Sequence, residues 1–138
     1  QPGPAAAELG GTGGFELLDE GLVAAEISID LLGQGAGGLA TATGLEAQGI
    51  GADVVSMPCT ELFDAQDAAY KAGLLPRDAL IVSIEAGVTL GWERYTGLDG
   101  LNIGIDRFGA SAPAEALYDY FGLTAEKILP KILDKLFN

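Results

Sequence analysis

Residues 79–84 read Ala-Leu-Ile-Val-Ser-Ile, the most apolar run in the chain. The run is rich in β-branched residues and too short for a buried helix. It therefore predicts a strand buried on both faces. Such a strand needs cover on both sides, and the flanking sequence offers it as an alternation of short strand-like and helical segments. Residues 26–32 (EISIDLL) alternate and then become apolar, as a strand does, and residues 52–57 (ADVVSM) form a second strand that Pro58 ends. Residues 101–105 (LNIGI) form another.

Between the strands, Thr60 is placed to cap a helix from Glu61 to about Lys71, with Leu62, Phe63, Ala69 and Tyr70 on one face and Gly73 near its C-cap. Pro76-Arg77-Asp78 makes a turn, and residues 88–95 make a short helix stopped by Thr96 and Gly97. Ser111 caps a further helix with Pro113 in its first turn, Ala114, Leu117, Tyr118 and Phe121 on its buried face and Gly122 at its end. Thr124 opens a last helical segment in which Ile128, Leu129, Ile132, Leu133, Leu136 and Phe137 recur at helical spacing; Pro130 inside it predicts a kink or a restart. Residues 39–48 are a poor helix candidate, because Gly44 interrupts them and threonines dilute them. This order predicts an α/β layered domain with a largely parallel sheet. Residues 1–14, dominated by Gly, Pro and Ala, read as a linker or arm, and residues 15–138 as one domain.

Composition narrows function. The net charge of −13 sets the chain against nucleic acid and anionic membranes. No stretch reaches the roughly 20 apolar residues of a membrane helix. The single cysteine, Cys59, excludes an internal disulfide and fits a reducing compartment, so the chain reads as a soluble, cytoplasmic protein. It contains no histidine, which removes the commonest general base near neutral pH, the Ser-His-Asp and Cys-His systems, and imidazole metal sites.

Three segments carry a resemblance: VVSMPCTELFDAQDAAYKAGLLP (54–76), IVSIEAGVTLGWERYTG (81–97) and DRFGASAPAEALYDYFGLTAEKI (106–128). In order and spacing they resemble the C-terminal domain of transketolase. In the family, the first strand is followed by Thr-Gly-Ser-Glu and an alanine-rich helix; here the corresponding run is Leu32-Gly33-Gln34-Gly35-Ala36-Gly37-Gly38. The resemblance implies a three-layer α/β domain with a mostly parallel five-stranded sheet. It also implies a parent enzyme that moves a two-carbon ketol unit between sugar phosphates with thiamine diphosphate and Mg2+ (or Ca2+). In that family the cofactor is held by two other domains at a subunit contact. The third domain packs on its neighbour and supports a homodimer. This chain alone is then expected to hold no cofactor and no catalytic residue. The alternative is a free-standing α/β module that binds a phosphorylated small molecule.

Individual residues admit two readings each. Gly33, Gly35 and Gly38 satisfy GxGxxG after a strand, a pattern that suits an anion site or simply a tight turn. Ligands of such folds sit at the carboxyl ends of the strands. Glu85, just past the buried strand, can cap the helix 88–95 or meet a neighbouring domain. Trp92 and Tyr95 suit core or domain-interface packing, and Ser111 suits a cap or a domain contact. Asp64, Gln66 and Asp67 are placed in first helical turns, Cys59 reads as a structural thiol, and Lys127, Lys131 and Lys135 form one exposed stripe.

Overall fold

The computed structural model describes Ala7–Glu8, Val23–Ile29 and residues 36–138. The strands β1 (Ala7–Glu8), β2 (Val23–Ile29), β3 (Gly51–Ser56), β4 (Leu80–Glu85) and β5 (Leu101–Ile103) join one sheet in the order β1-β3-β2-β4-β5. β2 pairs in parallel with both β3 and β4, β4 pairs in parallel with β5, and only the two-residue β1 runs antiparallel, against β3. The α/β class and the mostly parallel sheet agree with expectation. β1 lies within the stretch expected to be an arm.

The two faces of the sheet are covered by different helices. On one face Ala52 and Val54 of β3, Val82 and Ile84 of β4 and Ile103 of β5 meet Ala42 and Leu45 of α1 (Ala36–Glu46), Leu123, and Ile128 and Ile132 of the last helix. On the other, Val55, Met57 and Ile81 meet Phe63 and Trp92. The strand alternation does this sorting, because successive side chains of β3 and β4 point to opposite faces. Ile81–Ile84 are all buried, as the reading of this run requires.

Several elements differ from expectation. β2 begins at Val23 rather than at residue 26, and residues 30–32 lie outside the described residues. Ala24 and Ala25 are weak strand formers, but the backbone there pairs on both sides, Ala24 with Ala52 and Leu80. Most of the segment read as a poor helix candidate, residues 39–48, is helical and belongs to α1. Its glycines permit close approach: a Cβ on Gly44 would stand 3.0 Å from Leu129 Cδ2. Thr41 and Thr43 turn their hydroxyls back to the carbonyls of Gly37 and Leu39, at 2.7 and 3.0 Å, as threonines inside helices do.

The helix expected from Glu61 to Lys71 is two, α2 (Thr60–Asp64) and α3 (Ala68–Leu74). The break is chemical: the Asp67 carboxylate accepts from Tyr70 N–H at 2.8 Å and restarts the helix. Cys59, not Thr60, occupies the N-cap of α2, Gly73 lies inside α3, and Leu62 is exposed. Helix 88–95 shrinks to α4 (Glu93–Thr96), with Gly91 at φ 94° before it. α5 (Ala114–Phe121) has Pro113 at its N-cap instead of Ser111, ends at Gly122 in the left-handed region, and buries none of its residues fully. α6 (Ala125–Phe137) continues through Pro130 without a restart, with Thr124 at its N-cap.

Candidate functional site

The carboxyl ends of β4 and β5 are joined by a dense set of bonds. Ile105 N–H donates to the Gly87 carbonyl at 2.7 Å. Asp106 accepts twice from Thr89, from its N–H at 2.8 Å and from its hydroxyl at 2.7 Å. The Thr89 N–H, then the Thr89 hydroxyl, hold the Asp106 carboxyl below the usual carboxylate range. Gly104 sits so close to Gly87 that a Cβ on it would lie 2.5 Å from the Gly87 carbonyl oxygen. Glu85 ends β4 half-buried, and its side chain lies along Gly87. It does not cap a helix over 88–95, since that helix starts only at Glu93.

On the face of α2 and α4, Asp64 collects three donors. Arg94 donates from Nη2 at 2.9 Å, the Tyr95 hydroxyl lies 3.1 and 3.2 Å from the two carboxylate oxygens, and Lys71 Nζ reaches the Asp64 carbonyl at 3.2 Å. Burial, then this bond to Asp64, pushes the Tyr95 hydroxyl above its ordinary range. Tyr95 also packs edge-on to Phe63 and against Trp92, at 5.7 and 5.5 Å between centroids. Asp64 therefore ties α2 to α4 instead of standing in a helix's first turn. Beneath it, Asn102 Oδ1 accepts from buried Ser83 at 2.7 Å and lies 3.0 Å from the hydroxyl of buried Thr96. This polar seam was not read from the sequence, where Ser83 is one polar residue in an apolar run.

At the opposite, amino ends of β4 and β5 lies an open cleft of about 690 Å³, with Arg77, Asp78, Arg94, Asp99 and Lys135 along its walls. It is not at the carboxyl ends, where the fold class directs the search. Its charges are mixed, and Arg94 is bound to Asp64.

The sequence candidates are scattered. Gly33 and Gly35 lie outside the described residues; Gly38 is buried in the first turn of α1. Trp92 is turned into the domain's own core at 9% exposure, in keeping with the core-packing reading of this residue. Ser111 is exposed between β5 and α5, outside the cap position. Cys59 is free and half-buried, its Sγ 3.4 Å from Glu61 Oε2. Lys127, Lys131 and Lys135 are all exposed, but Lys127 is tied to Asp119 at 2.9 Å. Among the described residues no group of three or more His, Cys, Asp or Glu could hold a metal ion. No helix among them is long and apolar enough to cross a membrane.

Residues 14–124 match the family model of the transketolase-like TK C-terminal domain. The chain belongs to that family. A plasmid-encoded transketolase of Cupriavidus necator is 60% identical over 76 residues, which cover 55% of this chain and 11% of that protein. Transketolase 1 of Escherichia coli K12 is 45% identical over 93 residues, 67% of this chain and 14% of that protein. The fold superposes on the R525L mutant of Pichia stipitis transketolase with a TM-score of 0.78 and 27% identity, covering 95% of this chain and 18% of that one. It superposes on Leishmania mexicana transketolase with a TM-score of 0.73 and 33% identity, covering 92% and 17%. The matched residues thus span less than a fifth of each of these four transketolases. The bonds between Thr89 and Asp106 and between Asp64, Arg94 and Tyr95 are framework of a transketolase C-terminal domain, and the family match favours that reading over a free-standing binding module.

Proposed function

We propose that this C-terminal domain supports the domain packing and the homodimer of a cytoplasmic, thiamine diphosphate- and Mg2+-dependent transketolase. The parent enzyme transfers a two-carbon ketol unit between sugar phosphates. The family match over residues 14–124 carries the reading. The side chains support the division of labour. A diphosphate–metal site calls for carboxylates free to face the metal. Here Asp64, Asp67 and Asp106 are each spent on Arg94 and Tyr95, on a helix cap and on Thr89. These three carboxylates are thus committed to the fold, and the family match supports the reading that the cofactor is held by the rest of the enzyme.

The test is ketol transfer by the 138-residue chain and by the full-length protein, each with thiamine diphosphate and Mg2+. Transfer is expected from the full-length protein only, together with loss of its native dimer or thermal stability when this domain is deleted. Transfer by the chain alone would sink the proposal, as would a deletion that leaves dimer and stability unchanged.

A further inference from the structure

Asp99 is the only aspartate in the chain that is followed by glycine, and no asparagine is. The pair lies in the turn between α4 and β5, where Gly100 N–H donates to the Gly97 carbonyl over a long 3.3 Å. Water reaches this turn freely. Leu98 is fully exposed, Asp99 is exposed, and both line the open cleft at the amino ends of the strands. Among the described residues the Asp99 carboxylate has no hydrogen-bond or salt-bridge partner, unlike those of Asp64, Asp67 and Asp106. Glycine matters here for chemistry as well as shape: with no Cβ, it leaves its own amide nitrogen open to the side chain that precedes it. Just past the pair the chain is tightly fitted. A Cβ on Gly100 would run into the Thr96 carbonyl oxygen. Two residues on, Asn102 Oδ1 accepts from buried Ser83 at 2.7 Å and from the hydroxyl of buried Thr96 at 3.0 Å. A reactive turn thus adjoins a corner with no slack.

We propose that Asp99-Gly100 is a site of spontaneous isoaspartate formation in the folded protein, and that conversion loosens the corner between α4 and β5. The Gly100 nitrogen attacks Cγ of Asp99. The N–Cγ bond forms, one Cγ–O bond breaks, and that oxygen leaves as water with the amide proton and a proton from solvent. Water then opens the succinimide ring. Addition at Cγ restores aspartate. Addition at the main-chain carbonyl leaves the chain running through Cβ and Cγ, one atom longer than before. That atom falls between the end of α4 and a glycine held against Thr96, so the strain passes to the bonds that Asn102 makes with Ser83 and Thr96.

The full-length protein and the 138-residue chain are held for weeks at neutral pH, and their peptides are mapped by mass spectrometry with fragmentation that separates isoaspartate from aspartate. Isoaspartate should accumulate at 99 in both, well ahead of Asp64, Asp67 and Asp106, with a minor species lighter by one water. Asp99→Glu, whose ring would be larger and slower to close, should show none. Asp99→Asn should convert faster, with loss of ammonia. The converted chain, separated by chromatography, should unfold at lower urea concentration by Trp92 fluorescence and exchange its amides faster over residues 100–103 than the unconverted chain. No isoaspartate at 99, or isoaspartate only in chain unfolded in urea, overturns the site. Conversion in the chain but not in the full-length protein shows the turn covered in the enzyme and overturns it there. Conversion that leaves the urea midpoint and the amide exchange unchanged overturns the loosening.

Discussion

Asp106 shows how much one exposed carboxylate can organise. It holds the loop after β4 to the loop after β5 through the two bonds from Thr89, and those bonds are strongest while it is ionised. Its acidity is raised in the folded state, so its contribution is complete above the ordinary aspartate range and fades as pH falls through its lowered value. Asp106→Asn should flatten that acid limb and speed amide exchange at Thr89 and Ile105, read by hydrogen exchange across pH. An unchanged acid limb would mean that Asp106 does not couple the loops. Glycines here separate into two kinds. A Cβ on Gly104 meets the Gly87 backbone, which cannot step aside, whereas one on Gly73 meets nothing within 4 Å. Gly104→Ala should cost about 1–3 kcal/mol. Gly73→Ala, inside α3, should add about 0.5–1 kcal/mol. Urea midpoints of the two variants check both, and the opposite order would refute the geometry.

Among the elements, α1 and α6 carry the lesson about what propensity misses. Gly44 and the threonines make α1 weak as an isolated helix, but the same small residues let Leu129 of α6 lie against it. The helix exists because tertiary contact repays its poor propensity. In α6 the amphipathic period was legible, and Ile128 and Ile132 are buried as it predicts. Pro130 sits exposed in the second turn and leaves the Glu126 carbonyl without its helical donor. Pro130→Ala should therefore raise stability by about 1–3 kcal/mol in thermal or urea unfolding; a loss would show that the ring packs usefully. The α2–α3 break was misread because Asp67 carries no distinguishing period. Only its bond to Tyr70 N–H makes it a cap, and that bond depends on the turn at Ala65-Gln66, where Gln66 Nε2 covers the Leu62 carbonyl at 2.9 Å.

Across the molecule, the two core clusters lie on opposite faces of one sheet and share β3 and β4. Neither can lose its strands without the other, so the domain should unfold in one transition. Trp92, the only tryptophan, reports the α2–α4 side, whereas Ile132 lies on the α1–α6 side. Ile132→Ala should move the urea midpoint seen by Trp92 fluorescence and by far-UV circular dichroism together, by about 2–5 kcal/mol. Separate transitions for the two probes would show that the layers melt independently. The same layering explains why α5 buries nothing fully: it lies past the edge strand β5, and its half-buried Leu117, Tyr118 and Phe121 reach only the margin of the core.

Local pattern was enough to settle the class of this fold. An apolar β-branched run at 79–84 and alternation with helical periods specify an α/β domain, because burial on both strand faces and helical spacing are properties of neighbours in sequence; the family came instead from the resemblance carried by the 54–76, 81–97 and 106–128 segments. Which loops are zipped, which glycines are obligatory and which aspartate is a cap depended on residues far apart in the chain: Thr89 with Asp106, Asp64 with Arg94 and Tyr95, Ser83 with Asn102. A hydrogen bond or a close approach across 17 to 31 residues leaves no period in the sequence, and only the folded sheet brings its two ends together.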